Sequence, residues 1–357
     1  MIYNQFMRSI LNRFPFFIRL FNWEYWPARV VYIPVMIYYA FLSVKARSPF
    51  YYSASNPSIE TGGMFAESKW DVFQLIPPQL FPKTILVPAN SDFERIKFLM
   101  GENGLEYPVI VKPDRGERGW MVKKIDREAQ LKDYSAQVKG EFLIQKLVDF
   151  PVEMSLFYYR FPGEEHGRLS SVVIKEMLQV TGDGKSTVDQ LIRRYPRALL
   201  QLKVLQKEIP ELLNNVPAIN EKIELVPIGN HARGAKFIDA CYLIDEKLTA
   251  VMDNISRQIP GFYYGRYDIR CTSIEDLKTG RGWQILELNG AGAEPAHIYN
   301  PGFPLVKAYR TLFHHLRVMY VISKLNHSNG TKYMTLKEYL AMEKLEKNYK
   351  KKMENRK

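Results

Sequence analysis

The stretches FYYGRYDIRC (residues 262–271) and GWQILELNG (residues 282–290) are the most informative part of this sequence. Both alternate with the period of a β-strand, which places Arg266 and Asp268 on one face of the first, and Glu287 and Asn289 on one face of the second. The connection between them is polar and contains two glycines, which predicts antiparallel neighbouring strands. All four side chains would then share one surface.

Oxygen ligands on such a surface suit a magnesium ion, which keeps several waters and shares phosphate oxygens. Asp268, Glu287 and Asn289 are therefore candidate metal ligands, and Arg266 stands where it can meet a transferring phosphoryl group. The alternative is an ordinary sheet face on which opposite charges pair. The segment ELNGAGAEP (residues 287–295) favours a metal site, because a solvated sheet edge needs neither an exposed asparagine nor the glycines after it.

Two upstream stretches carry further candidates. In YPVIVKPDRGERGW (residues 107–120), a buried strand ends at Lys112 and enters a loop with Gly116 and Gly119. The lysine can pair with phosphate, and the glycines let backbone N–H groups approach it; a solvated lysine and a plain turn are the alternative. In LIQKLVDFPVE (residues 143–153), strand-end backbone groups can bond an adenine edge and Glu153 can take ribose hydroxyls.

Composition sets the broad class. The 357 residues are 46% hydrophobic and carry a net charge of +12, which fits a globular chain of two or three compact units. No nucleic-acid motif accompanies the charge, so we expect it in the chain ends and in a site for a polyanionic ligand, without nucleic acid as a partner. Cys241 and Cys271 lie in apolar stretches, which favours core thiols in a reducing, cytoplasmic setting.

The first 65 residues are rich in aromatic side chains and are predicted to be mainly helical. Val30–Val44 is an uncharged run of 15 residues, shorter than the roughly 20 that a span needs. It follows a basic-aromatic stretch that includes Arg8, Arg13 and Arg19. A buried helix or helix pair, a helix in the membrane interface and a true span all stay open, so we expect peripheral membrane contact through residues 1–48 as one alternative.

From Pro82 onward, strands and helices alternate in an α+β pattern, in which residues 168–181 are predicted to form one strand. Among the predicted helices are KKIDREAQLKDYSAQV (residues 123–138) and two more near residues 186–214 and 245–259. The highly charged C-terminal tail is expected to be a solvated helix, with contact to an anionic surface as the alternative.

Together these motifs resemble the ATP-grasp superfamily, in particular D-alanine–D-alanine ligases and cyanophycin synthetase-like ligases, over roughly residues 66–305. The resemblance implies two α+β subdomains that clasp ATP, at residues 66–147 and 148–323, between the atypical N-terminal region (1–65) and the tail (324–357). It implies ATP-binding roles for a set of residues spread over both subdomains: Lys69, Lys112, Arg115, Gly116, Gly119, Gln145, Lys146, Leu147, Glu153 and Lys175. It also implies Arg266 as the catalytic arginine and Asp268, Glu287 and Asn289 as ligands of Mg²⁺, with Mn²⁺ as the alternative metal.

The chain departs from the family pattern in three places. Residues 1–65 do not resemble the usual N-terminal α/β domain, Arg115 and Arg118 stand where serines are common, and the spacing before Glu153 is one residue longer. The resemblance implies a ligase that joins a small-molecule or peptide carboxylate to an amine through an acylphosphate. A kinase-like phosphotransferase and a non-catalytic, membrane-associated nucleotide-binding protein are the alternatives. Substrate contacts are one expectation, and a structural role the alternative, for a set of loop residues: His231, Arg233, Glu294 and His297.

Overall fold

The computed structural model describes residues 14–226 and 229–354. They form a mixture of helices and antiparallel sheets, which confirms the expected α+β class. Arg8 and Arg13, part of the predicted basic-aromatic stretch, lie outside the described residues. Two compact units are distinguished: Met1–Ile37, Lys175–Ile238 and His297–Arg310 make up unit 1, and Tyr38–Ile174, Asp239–Ala296 and Thr311–Lys357 make up unit 2.

The strands are β1 (Thr84–Val87), β2 (Val109–Pro113), β3 (Lys123–Ile125), β4 (Phe142–Lys146), β5 (Val152–Tyr159), β6 (Arg168–Glu176), β7 (Leu178–Thr181), β8 (Lys222–Val226), β9 (Lys236–Asp239), β10 (Tyr264–Cys271) and β11 (Trp283–Asn289). The helices are α1 (Pro15–Phe21), α2 (Ala28–Val31), α3 (Ile33–Ala46), α4 (Lys69–Leu75), α5 (Phe93–Glu102), α6 (Glu128–Gln137), α7 (Val188–Arg194), α8 (Pro196–Leu199), α9 (Leu202–Glu208), α10 (Glu246–Gln258), α11 (Ile274–Lys278), α12 (Leu305–Ser328) and α13 (Leu336–Met353). Short 3-10 turns join several of them.

A four-stranded antiparallel sheet in unit 2 has the order β1-β4-β2-β3. Its core is built from apolar side chains of these strands and of α5 and α6. The charged C-terminal helix α13 joins this core, because Tyr349 and Met353 are buried in it and the Tyr349 hydroxyl donates to the Glu141 carbonyl. The expectation of a purely solvated tail is therefore wrong for the end of α13.

The second sheet has the order β11-β10-β5-β6-β9. Its centre, β5, is buried on both faces and pairs antiparallel with β10, which pairs on its other side with β11. Helix α10 packs against this sheet through Leu248, Met252 and Ile255. The alternating apolar residues of β10 and β11 that face this core leave the opposite faces for polar side chains.

Three secondary-structure predictions need correction. The helix expected at residues 123–138 begins as strand β3, because Lys123–Ile125 completes the sheet beside β2. Residues 168–181 form two strands rather than one. The helical region near residues 186–214 is divided into α7, α8 and α9, and its first break falls at Tyr195-Pro196, where the proline cannot continue a helix.

The apolar run near the N-terminus forms the end of α2 and most of α3, in which Val35 and Leu42 are buried. Among residues 14–226 and 229–354, none of the helices combines the length and apolar character that crossing a bilayer requires. The spanning alternative therefore has no counterpart in the described helices.

Residues 53–63 form a polar segment of short turns that is largely buried in unit 2, although Pro57, Ser58 and Glu60 are exposed. Asn56 is fully buried and makes four hydrogen bonds, donating to the carbonyls of Gly62 and Tyr264 and accepting from the amides of Tyr263 and Tyr264. Gly63 has φ +75°, and a Cβ there would lie 2.7 Å from the Cα of Gly290. The segment thus fixes the start of β10 and the turn after β11.

We predict that Asn56→Ala lowers the free energy of unfolding by about 3 kcal/mol, because it leaves buried backbone groups without partners. Urea denaturation followed by circular dichroism would measure the change. Asn214→Ala, at an exposed position, is the matched control and should stay near the wild-type value. Equal stability of the two variants would contradict the role of this segment.

Candidate functional site

Strand pairing sets the positions of the four polar residues of β10 and β11: Arg266, Asp268, Glu287 and Asn289. β10 and β11 are antiparallel, with Asp268 opposite Glu287 and Arg266 opposite Asn289. A register shift follows directly after Asp268, so the pairing is irregular just beside the carboxylates. The predicted neighbouring strands are confirmed, and directly opposed residues lie on the same face of a sheet.

Asp268 is the buried centre of this face. Arg266 Nη2 lies 3.1 Å from Asp268 Oδ2, and Asn289 Nδ2 donates to the same oxygen at 3.2 Å. The other carboxylate oxygen accepts from the hydroxyl of Ser155. Ser155 lies on β5 directly across from Asp268, and strand period alone could not reveal it because the pairing of β5 with β10 is a tertiary contact.

Lys69 reaches this face from the start of helix α4. Its Nζ lies 3.7 Å from Glu287 Oε1 and donates to the carbonyl of Gly116 at 2.5 Å. The position of Lys69 follows from buried Asp114, whose Oδ1 accepts from the Ser68 hydroxyl and from the amide of Trp70. Ser68 caps α4, so Asp114 holds the first turn of the helix against the end of β2.

Lys112 is buried at the end of β2 and donates to Gln145 Oε1 and to the carbonyl of Leu286, each at 3.0 Å. Its ammonium lies 4.8 Å from the centre of the Phe73 ring. Burial lowers the pKa of Lys112 to about 8, against the opposing attraction of Glu287, and the nearby Lys69 lowers it further. The charge of Lys112 therefore depends strongly on the group that lies beside its ammonium.

The residues predicted around adenine and ribose are found at the end of β4 and the start of β5. Gln145 also donates to the Thr84 hydroxyl, and the Lys146 amide donates to the carbonyl of Lys83 at 2.8 Å, so that amide is already used. Leu147 follows the last residue of β4. Glu153 is buried and pairs with Arg270 Nε at 3.0 Å.

The glycine loop shows why its glycines are needed. Gly116 has φ +131°, and a Cβ there would lie 2.8 Å from the ring of Trp120. Gly119 also has a positive φ, of +71°. Arg115 does not extend into this loop: its guanidinium pairs with Glu60 at 2.6 Å and donates to the Ala66 carbonyl.

The sequence motifs predict no role for Glu67, which lies two residues before Lys69. Its Oε2 is enclosed and makes no hydrogen bond among the described residues. Burial raises the pKa of Glu67, as do the charges of Glu287 and Glu117, while Lys69 opposes the rise. Glu67 thus adds a carboxyl group that resists ionisation beside the lysine.

The remaining predicted residues are divided between the two units. Glu294, in unit 2, accepts from Arg266 Nη1 through its carbonyl at 3.4 Å. Four others lie in unit 1, where each has a local neighbour: Lys175 lies 5.8 Å from the centre of the Phe237 ring, His231 Nε2 is 2.7 Å from Glu24, Arg233 pairs with Glu208 at 2.6 Å, and the ring of His297 packs on Phe303.

The donor set at the strand face fits a magnesium ion better than a soft metal. Within the described part of the chain, no group of three or more His, Cys, Asp or Glu side chains is placed to hold a metal. Two carboxylates and an amide suit Mg²⁺, since this ion completes its shell with waters and phosphate oxygens rather than with protein groups. Asp268, Glu287 and Asn289 are the residues that would hold it.

Comparison with known proteins gives distant structural likenesses. Neither a protein-family model nor a curated protein matches the chain. The D-alanine–D-alanine ligase of Bacillus anthracis is 12% identical with a TM-score of 0.40, and the match covers 74% of this chain and 69% of that one. The VanG D-Ala:D-Ser ligase of Enterococcus faecalis is 14% identical with a TM-score of 0.41, over 73% of this chain and 62% of that one.

A bifunctional glutathione synthetase from Pasteurella multocida is also similar, at 14% identity and a TM-score of 0.38. The match covers 69% of this chain but 36% of the synthetase, so this chain spans about a third of that protein. All three are ATP-grasp enzymes, the superfamily that the sequence motifs resemble. At these TM-scores the likenesses are distant.

We predict that Lys112→Met changes how stability depends on pH. Below pH 8 Lys112 binds a proton in both the folded and the unfolded protein, whereas between about 8 and the ordinary pKa of 10.5 only the unfolded protein holds it. The stability of the wild type relative to Lys112→Met should therefore rise with pH across this window, by about 3 kcal/mol.

Urea unfolding at a series of pH values would measure that difference. Lys146→Met, at an exposed lysine of β4, is the control and should show a flat difference. A flat difference for Lys112→Met as well would show that Lys112 keeps its ordinary pKa.

Proposed function

We propose that this chain binds Mg-ATP on the polar face of β10 and β11 and uses it to join a carboxylate to an amine. The observation that carries the proposal is the cross-strand pair Asp268 and Glu287 with cations on either side of it. Arg266 lies 3.1 Å from Asp268 and Lys69 lies 3.7 Å from Glu287. A sheet face that only pairs opposite charges would not also need the buried Lys112, which donates to the backbone carbonyl of Leu286 on β11.

The cations are suited to a polyphosphate. Lys112 donates to neutral acceptors rather than to a carboxylate. A phosphate oxygen would therefore give this buried ammonium a charged partner. Lys69 already donates to a carbonyl of the glycine loop, so the same ammonium can reach a phosphate cradled by that loop. Arg266 offers a planar donor pair for a transferring phosphoryl group.

Asp268, Glu287 and Asn289 would hold Mg²⁺, or Mn²⁺ in its place. The metal, when bound, supplies charge neutralisation of the phosphate oxygens. Ser155 and Arg266 keep Asp268 oriented, because each donates to a carboxylate oxygen. Arg115 pairs with Glu60, and this ion pair would hold the start of the glycine loop and position Gly116.

The nucleoside end is assigned to the strand ends of β4 and β5. Gln145, Lys146 and Leu147 would receive adenine, and Glu153 would bind ribose hydroxyls while Arg270 holds its carboxylate. Lys175 is assigned to the nucleotide by the resemblance alone. The division into subdomains at residues 66–147 and 148–323 belongs to the same proposal.

The reaction proposed is direct transfer without a protein nucleophile. A substrate carboxylate oxygen attacks the γ-phosphorus, the bond to the bridging oxygen breaks, and ADP leaves; an amine then attacks the acylphosphate, loses a proton and releases phosphate. Burial raises the pKa of the Cys271 thiol to about 11 and that of Cys241 to about 12, so neither thiol is activated. Arg266 and Lys69 offset the charge that develops on the transferred group.

The substrates are assigned by class only. A small-molecule or peptide carboxylate and an amine acceptor are proposed, with Glu294, His297, His231 and Arg233 as the residues to examine for contact with them. Both cysteines are free thiols, which supports a reducing compartment such as the cytoplasm.

We predict that purified protein forms ADP from Mg-ATP only when a suitable carboxylate and amine are both present. A screen of amino acids, dipeptides and polyamines for phosphate release would find them. Asp268→Asn and Glu287→Gln should each lower kcat/KM by about 100-fold or more, because each removes a carboxylate proposed to hold the metal ion that neutralises the phosphate oxygens.

Glu275→Gln, an acid on the short helix α11 between the same two strands, is the matched control and should keep wild-type activity. Phosphate transfer to a hydroxyl acceptor, with no requirement for an amine, would instead identify a kinase. Full activity of Asp268→Asn would exclude the proposed site.

A further inference from the structure

Helix α3 carries an unusual exposed face. Five large apolar side chains of this helix are each between 55% and 78% exposed: Ile33, Met36, Ile37, Phe41 and Val44. Their spacing of three and four residues places them on one side of the helix. Single exposed apolar residues are common on protein surfaces, whereas five on one helix face form a patch that calls for a partner.

The opposite side of α3 is already used. Val35 and Leu42 are buried, so the helix is anchored to the protein through that side and cannot turn its apolar residues inward. Its 14 residues extend about 21 Å, less than the roughly 30 Å of a bilayer core. The helix is therefore suited to lie along a surface rather than to cross one.

The charges of this part of the chain indicate the chemistry of that surface. Over residues 14–48 the exposed charged side chains are all basic: Arg19, Arg29, Lys45 and Arg47. The sole acid of this stretch, Glu24, is withdrawn from the surface, with its side chain 7% exposed and paired with Arg197 at 2.8 Å and with His231 at 2.7 Å. Lys45 Nζ lies 5.4 Å from the Phe41 ring, so a cation adjoins the apolar face directly.

We propose that α3 binds the surface of an anionic membrane, with its apolar face in the headgroup layer and the flanking cations on lipid phosphates. Apolar burial and attraction to anionic lipid are the two contributions that hold an interfacial helix. A second copy of the chain would oppose the same cations to each other, and residues 14–48 present no exposed acid to offset them. The proposal does not depend on the reaction assigned to the polar face of β10 and β11.

Vesicle flotation with the full-length protein tests the proposal. The probes are vesicles of phosphatidylcholine alone and of phosphatidylcholine with about one third phosphatidylglycerol. The protein should float with the second kind, and less so as ionic strength rises. The double variant Ile37→Ser, Phe41→Ser should bind at least about tenfold more weakly, because each removed side chain forfeits apolar burial.

Ile219→Ser is the matched control, since Ile219 is an equally exposed apolar residue outside this helix. Thermal unfolding must be the same for all proteins, so that loss of binding cannot come from loss of fold. The charge variant Lys45→Glu, Arg47→Glu should reduce binding to the anionic vesicles in the same way.

Three results would overturn the proposal. The first is equal flotation of the wild type with and without vesicles. The second is unchanged binding by the double variant, which would move the contact to another part of the chain. The third is a dimer in sedimentation analysis that the double variant abolishes, because a second copy would then cover the face.

Discussion

The antiparallel pairing of β10 with both β5 and β11 is the constraint on which the candidate site depends. Asp268 is opposite Ser155 on one side and Glu287 on the other. A slip of one residue in either pairing would turn the polar side chains to the opposite face of the sheet and bury charge in the core formed with α10. The register is therefore protected by the hydrophobic core as well as by hydrogen bonds.

The segment around Asn56 makes the end of this strand pair rigid. Asn56 supplies the hydrogen-bonding partners that the backbone at Tyr263 and Tyr264 needs, and the amides of Ala291 and Gly292 donate to the carbonyls of Gly62 and Gly63. A loop would ordinarily obtain these partners from water. Because they come from the protein, the turn that follows Asn289 is held in one position, which suits residues that must present oxygen ligands at fixed places.

The two lysines of the site donate their hydrogen bonds to neutral acceptors. Lys112 faces a carbonyl and an amide oxygen, and Lys69 faces a carbonyl as well as Glu287. Strong ion pairs at both lysines would compete with a phosphate ligand, whereas neutral acceptors hold the side chains in place and leave their charge to the ligand. Arg115 and Arg270 contrast with them, because each is paired with a glutamate and serves to position the chain.

The sequence by itself determined the polar face. Strand period placed Arg266, Asp268, Glu287 and Asn289 together, and the turn between the strands set their antiparallel pairing, because both are local properties of neighbouring residues. It could not reveal Ser155, Asp114 or the buried Asn56, since each acts through a residue far away in the chain. The same limit explains β3, whose strand character comes from pairing with β2, and α3, whose exposed face is defined only by what packs on its other side.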